Sequence, residues 1–509
     1  MLRRILKPSF SDLLFLSLIC WLFMMAKDGW SLLLLDGDTG WHIRVGEYIL
    51  KTGSVPQKDL FSFSKPGEPW FAWEWGSDVI FALLFRTWGL KGIVIFGGVL
   101  VALFATLLVR LSLWRGANPL FTLAIGLIAV GASTVHYLAR PHLFTLVFIP
   151  LAVWILERDE THRDRVLWLL VPLAAVWTNL HGGFLALIAI IGIAAVGSAI
   201  EAYWRPDPDG WDRARRLAIV GALCGLATFV NPYGYHLHMH ISSYLQSDWI
   251  KEVVSEFKSP SFRQENIMQY EVLLLTGLLA AALRLSRKSV VASLWILFWA
   301  HQSLVSVRHI TIYVSIAAPV IALELTMLWR KFTEGAHKAS VRAILDSLAN
   351  DTLPNFRWTS AWPVLAVVAL FGLHVSELDA RWPKDFPPER FPIKIISKHE
   401  AKIRPAKVLT EDQWADYLIY RFYPEHKVFF DGRSDFYGAK LGREYMGLTG
   451  GRHDWRQILD KHGFDVALVP VEWPLTTLLK QQPDWKVIED DGKALLFERT
   501  RKREIASTR

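Results

Sequence analysis

Cysteine is almost absent. The 509 residues include two, Cys20 and Cys224, both inside apolar stretches, which excludes a disulfide framework and a thiolate metal site. Any chemistry must use oxygen and nitrogen groups. Charge is scarce as well: Asp, Glu, Lys and Arg make up 20% of the chain, against 52% hydrophobic and 13% aromatic residues. A soluble chain of this length would divide into about three domains, but so apolar a composition, with a positive mean hydropathy, argues against that division. The formal net charge of +8 would suggest nucleic acid in a soluble protein. Membrane proteins, however, collect Lys and Arg in cytoplasmic loops for topological reasons alone, so nucleic acid is not an expected partner.

What the chain has in abundance is long apolar blocks. Residues 13–25, 92–112, 118–138, 143–157, 166–180, 184–202, 217–231, 270–284, 290–306, 310–328 and 361–375 lie at or just below the length that crosses a hydrocarbon core of about 30 Å. The expected fold is a polytopic α-helical membrane protein with about eleven transmembrane helices. The first block follows Arg3, Arg4 and Lys7 as a signal peptide would, but no small-residue cleavage site comes after it, so it is read as helix 1. With the N-terminus in the cytoplasm, the inner loops and N-terminus hold roughly twenty Lys and Arg against about eleven in the outer loops, as the positive-inside rule expects. The C-terminus then lies outside, together with the long polar segments 36–91 and 232–269. Any working face looks outward.

Residues 1–376 are therefore read as a transmembrane domain carrying a first outer loop at 36–91, and 377–509 as a small extracytoplasmic α/β domain. A proline-rich connector (Pro383, Pro387, Pro388, Pro392) opens the latter and is extended and semi-rigid. Strands are expected at 407–409, 427–430, 466–470, 485–488 and 494–498, and helices at 411–421, 455–462 and 474–481. Strands alternating with helices suggest an α/β layer. Phe430-Asp431-Gly432-Arg433 follows an apolar strand, a position where ligand sites occur, although a turn closed by Asp and Gly explains it without a ligand.

The first outer loop opens Leu35-Asp36-Gly37-Asp38-Thr39-Gly40-Trp41-His42. Its two carboxylates sit where helix 1 should leave the membrane, and Gly37 and Gly40 leave room for a substrate to approach. Residues 41–50 can form a helix with Trp41, Val45 and Tyr48 or Ile49 on one face, lying along the interface. There a carboxylate can take the proton of an acceptor hydroxyl, or two can hold Mg²⁺ or Mn²⁺ against a phosphate leaving group. The plainer alternative is that Asp36 and Asp38 only cap the helix.

Polar residues recur at other predicted outer helix ends: Arg140-Pro141-His142, Asn179-Leu180-His181-Gly182-Gly183, Asn231-Pro232-Tyr233-Gly234, and His301 with Arg308 and His309. Each alone is a helix stop, a tight turn or a snorkelling cation. All of them on one side suggest a shared polar cavity, because polar groups at membrane depth are costly unless they pair or face water. Arg140 and Arg308 are then candidates for a phosphate or diphosphate, whose oxygens a guanidinium matches in a forked geometry. Glu74, among the aromatics of Trp70-Phe71-Ala72-Trp73-Glu74-Trp75, is expected to have a raised pKa, to pair with a cation, or to be plainly solvated.

The first-loop opening, the following helix ending near Gly53, and Val55-Pro56-Gln57-Lys58-Asp59-Leu60-Phe61-Ser62 together resemble the first loop of GT-C type integral membrane glycosyltransferases. That superfamily includes the protein mannosyltransferases, the aminoarabinose transferase of lipid A and the oligosaccharyltransferases. The likeness extends to the span count and the outer C-terminal domain, and looks closest to a bacterial branch. It implies a membrane glycosyltransferase of the bacterial inner membrane that moves a sugar from a polyprenyl-phosphate-linked donor to a lipid, glycan or protein acceptor on the outer face, with membrane lipid around it. Asp38 or Asp36 matches the family's acidic position, as base or metal ligand. Here Gly37 separates the pair, whereas several relatives have adjacent acids. The tail lacks a W-W-D-x-G signature, which leaves transfer of a whole glycan to asparagine without support.

The candidate residues are thus Asp38 as base and Asp36 as its helper through hydrogen bonds or a metal. Arg140, Arg308, His301, His142, His181, Asn179, His42 and Glu74 are candidates for binding substrate or phosphate. Two other classes compete: a transporter or flippase of a lipid-linked glycan, which uses the cavity without breaking a bond, and a non-catalytic subunit that recruits partners through its tail. Transporters often show internal repeats, and no convincing repeat is visible.

Overall fold

The computed structural model describes residues 6–25, 29–205, 208–264, 267–356, 358–372 and 382–500. Arg3 and Arg4, the boundary at 376/377 and the end of the last predicted span lie outside these. The described chain is mostly helical with a small C-terminal sheet, and it falls into two compact units. The first comprises 1–33, 91–238 and 254–382, and the second 34–90, 239–253 and 383–509. The first outer loop thus belongs with the tail, a grouping that boundaries drawn along the chain do not reveal.

In the first unit every predicted apolar block falls on helix. Among the described residues four helices are long and apolar enough to cross a membrane: Trp75–Trp114, Phe184–Trp204, Ile267–Ser286 and Val307–Thr333. Shorter apolar helices, such as Pro119–Ala132 and Val290–Val305, lie among them. Helices approach closely where side chains are small: a Cβ on Gly197 would sit 2.9 Å from the Val291 backbone, and one on Gly277 would overlap the Tyr313 hydroxyl at 2.0 Å. Buried Trp295 donates its indole N–H to the Ile190 carbonyl at 2.9 Å, satisfying the polar end of a large ring.

The Trp75–Trp114 helix is broken at Gly89, whose φ of 61° is open to glycine. The helix starts well before the predicted residue 92. Its first part, 75–90, lies in the second unit and contains Asp78 and Ala82, which pack on Gly46 of the Asp38–Thr52 helix. A Cβ at Gly46 would lie 1.9 Å from the Asp78 carbonyl oxygen.

That loop helix differs from the interfacial helix expected at 41–50. It begins three residues earlier and is buried on more than one face, with Asp38, Thr39, His42, Ile43, Val45 and Ile49 all inside. Gly37 and Gly40 make room, but for the chain itself. A Cβ at Gly37 would lie 2.4 Å from the Gln413 carbonyl, and one at Gly40 would lie 2.7 Å from Tyr420 Cβ. Both neighbours belong to the tail helix Asp412–Phe422. Helix-to-helix approach, rather than substrate approach, is what these glycines permit.

The tail sheet has four strands, β1 (Val408–Thr410), β2 (Val466–Pro470), β3 (Trp485–Asp490) and β4 (Ala494–Arg499), in the order β1-β2-β4-β3. β1 runs parallel to β2, and the other pairs are antiparallel. β2 is buried along its whole length, as its continuous apolar run requires. The predicted strand at 427–430 is instead a short bridge: Val428 exchanges backbone hydrogen bonds with Phe61 and Phe63 of the first loop at 2.9 Å. The helix Ser434–Thr449 is absent from the sequence expectation, because Gly438, Gly442 and Gly447 weaken its helical signal. Trp249 fills the space that Gly442 leaves.

Candidate functional site

The sequence candidates are divided between the units: Asp36, Asp38, His42 and Glu74 lie in the second, and Arg140, His142, Asn179, His181, His301 and Arg308 in the first.

In the second unit, Asp36 Oδ1 accepts the N–H of Asp38 at 2.9 Å, so one acid caps the helix the other begins. Asp38 is 5% exposed and stands at the helix N-terminus, where the helix dipole favours an anion. Opposite lies Asp416, fully buried on the tail helix, which accepts the Gly432 N–H on both oxygens at 3.2 Å. The two carboxylates converge on Gly432. A Cβ there would lie 2.1 Å from Asp38 Oδ1 and 2.8 Å from Asp416 Oδ2, so a side chain at this position is excluded.

Burial first, then the neighbouring Asp38 and Asp431, pushes the Asp416 carboxyl well above the ordinary carboxylate range. Asp412, one turn earlier, is pushed up to about 6 by burial, with Glu411 adding to the effect. A carboxyl whose folded value lies above its unfolded value of 3.8 stabilises the fold while protonated, and this contribution is lost as pH rises through about 6. The melting temperature of Asp412→Asn should therefore rise relative to wild type between about pH 4 and pH 6. Parallel melting curves across that range would refute the assignment.

His42, also fully buried, bonds Asp78 Oδ1 through Nδ1 at 2.6 Å and faces Glu74 Oε2 at 3.7 Å through Nε2. The Asp431-Gly432-Arg433 turn is more than a turn. Buried Arg433 bonds Asp431 at 2.7 Å and Asp59 of the first loop at 2.9 Å, and Tyr437 donates to Asp431 at 2.7 Å. This ion network fixes the backbone that carries Gly432.

In the first unit, Arg140 and Arg308 meet at a residue the sequence reading passed over. Arg140 Nη1 lies 3.0 Å from Glu256 Oε1, and Arg308 Nη2 lies 3.6 Å from Glu256 Oε2. Burial alone would raise the Glu256 carboxyl, but Arg140 and then Arg308 outweigh it and hold it well below the ordinary range. His142 donates its Nε2–H to the His136 carbonyl at 2.8 Å, and its ring lies 6.3 Å from that of His181. His181 Nδ1 accepts from Gly183 N–H at 3.0 Å and meets the Thr145 hydroxyl at 2.7 Å, while Trp177 donates to that hydroxyl at 2.9 Å.

Asn179 and His301 stand apart from this cluster. Asn179 donates to the carbonyls of Ala175 and Val230, tying two helix ends together. His301 is exposed on the Val290–Val305 helix and, among the described residues, enters none of these bonds.

Of the residues the sequence reading missed, Asp416 carried a usable signal. Asp412 and Asp416 are four apart on a helix otherwise rich in buried aromatics, an unusual place for two acids. Glu256 and Asp78 carry none, since each is an ordinary acid until its partners are placed. Among the described residues no three His, Cys, Asp or Glu side chains gather as a metal-holding group.

The helical body with long apolar helices and a small mixed-sheet tail is similar in fold to three solved structures. The structure is similar to the archaeal oligosaccharyltransferase AglB from Archaeoglobus fulgidus in complex with an inhibitory peptide and a dolichol-phosphate. The TM-score is 0.57 at 11% identity, covering 91% of this chain and 69% of that one. An Archaeoglobus fulgidus oligosaccharyltransferase tethered with an acceptor peptide containing the NVT sequon gives 0.53 at 11% identity, over 91% and 68%. ArnT from Cupriavidus metallidurans bound to undecaprenyl phosphate gives 0.50 at 14% identity, over 95% and 97%. The likeness is one of fold. No protein-family model matches the chain, and no curated protein sequence matches it.

Proposed function

We propose that this chain is a membrane glycosyltransferase that moves a sugar from a polyprenyl-phosphate-linked donor to a lipid, glycan or protein acceptor on the outer face of a bacterial inner membrane. The observation that carries the reading is the buried acid at the start of the first-loop helix, Asp38, set beside the acid Asp416 in a chain of GT-C fold. The structural neighbours, AglB and ArnT, were determined with dolichol-phosphate and undecaprenyl phosphate, which supports a polyprenyl-phosphate donor here.

In this scheme Asp38 takes the proton of the acceptor hydroxyl as the acceptor oxygen bonds the anomeric carbon. The bond from that carbon to the phosphate oxygen breaks in line, and polyprenyl phosphate leaves with the electron pair. Asp36 holds the Asp38 backbone, and Asp416 steadies the base as a positioning residue. Within the first unit, Arg140 and Arg308 are the proposed anion-binding residues, with His142 and His181 in the same cluster. About eleven membrane crossings, a cytoplasmic N-terminus, and a boundary near 376/377 with the tail outside complete the proposal.

The test is direct. Purified full-length protein is given radiolabelled polyprenyl-phosphate sugars and membrane lipid extract, with and without Mg²⁺, Mn²⁺ or EDTA. Label should pass from donor to acceptor. Reconstituted protein that carries the intact donor across a bilayer, with no label transferred, would instead identify a flippase.

A further inference from the structure

The two arginines assigned to phosphate already hold an anion. We propose that Glu256 is a built-in counter-anion that occupies the Arg140–Arg308 pair and yields it to the phosphate of a lipid phosphate ligand, so that Glu256 sets how tightly that phosphate is held. The lipid as the source of the phosphate rests on the glycosyltransferase reading; the competition itself rests on geometry alone.

Arg140 and Arg308 are far apart in sequence, yet they approach opposite oxygens of one carboxylate, at 3.0 and 3.6 Å. A phosphate monoester, with up to two negative charges and three terminal oxygens, satisfies both forks better than a carboxylate does.

The backbone around Glu256 is fixed. Ser306 donates to the Glu256 carbonyl at 2.7 Å, Val307 N–H donates to the Lys258 carbonyl at 3.0 Å, and the Arg308 guanidinium lies 4.4 Å over the Phe257 ring. The side chain is freer. It is 35% exposed, against 22% for Arg140 and 26% for Arg308, so water already reaches the carboxylate while its loop is held in place.

The experiment measures binding of farnesyl phosphate, and separately of inorganic phosphate, to the full-length protein in detergent, comparing wild type with Glu256→Gln. Glu256→Gln should bind farnesyl phosphate about tenfold tighter, and the gain should vanish when Arg140→Ala or Arg308→Ala is added. Equal or weaker binding by a Glu256→Gln protein with wild-type melting behaviour overturns the inference and leaves the glycosyltransferase reading standing. An equal gain for inorganic and farnesyl phosphate, with no preference for the lipid, upholds the competition and removes the support for a lipid-linked donor at this cluster. Should Glu256→Gln fail to fold, Glu256→Ala is measured in its place with the same outcomes.

Discussion

Asp38→Asn should lower sugar transfer by about a thousandfold or more, within the range attributed to a lost general base, while the protein melts at or slightly above the wild-type temperature. The amide keeps the shape of the side chain and removes its basicity. Asp38 is buried against Gly432, beside the carboxyl of Asp416, so a neutral amide of the same shape removes the cost of burying a charge there. Loss of activity without loss of stability is the signature that separates a base from a structural acid. Asp36→Asn should cost about tenfold at most, since its carboxylate accepts the Asp38 N–H and an amide oxygen accepts it nearly as well. Full transfer by Asp38→Asn would sink the assignment. A larger loss from Asp416→Asn than from Asp38→Asn would move the base to the tail helix.

The largest stability effect is expected at Arg433. Arg433→Ala should cost about 3–5 kcal/mol, because it strands two buried carboxylates. Asp431 and Asp59 both bond this guanidinium, and the rings of Trp70, Phe61 and Phe436 surround it at 4.6 to 4.9 Å. Lysine is a poor replacement, since a point charge can neither fork to two acids nor stack flat on rings. Thermal melting of the full chain should show the drop, and limited proteolysis should expose the first loop and the tail together, because Asp59 and Asp431 belong to those two segments. Adding Asp431→Asn to Arg433→Ala should recover part of the loss, as one uncompensated charge is removed. A wild-type melting temperature for Arg433→Ala would refute this account of the network.

Much of the architecture was legible along the chain. Apolar blocks of spanning length fell on helices because burial in lipid or core demands continuous apolar surface. The β2 and β4 strands were readable from short apolar runs bounded by turn residues. Errors came where local signals were diluted: glycines hid the Ser434–Thr449 helix, and an apolar run at 427–430 suggested a sheet strand although it bridges to the first loop. The helix over 75–90 falls inside the segment expected as outer loop, and the break at Gly89 separates it from the apolar block that follows.

The candidate site divides the same way. Sequence alone determined that Asp36 and Asp38 stand at the start of a helix and that Arg140 and Arg308 are cations next to apolar blocks, since these are statements about neighbours along the chain. Only the tertiary structure decided that Asp38 shares its burial with Asp416, that His42 lies against Asp78 and Glu74, that Arg433 binds Asp59, and that Glu256 already fills the arginine pair. Hydrophobic periodicity specifies which face of a helix is buried. It does not specify which distant polar group meets that face, because such pairings depend on how separate elements pack and not on any local repeat.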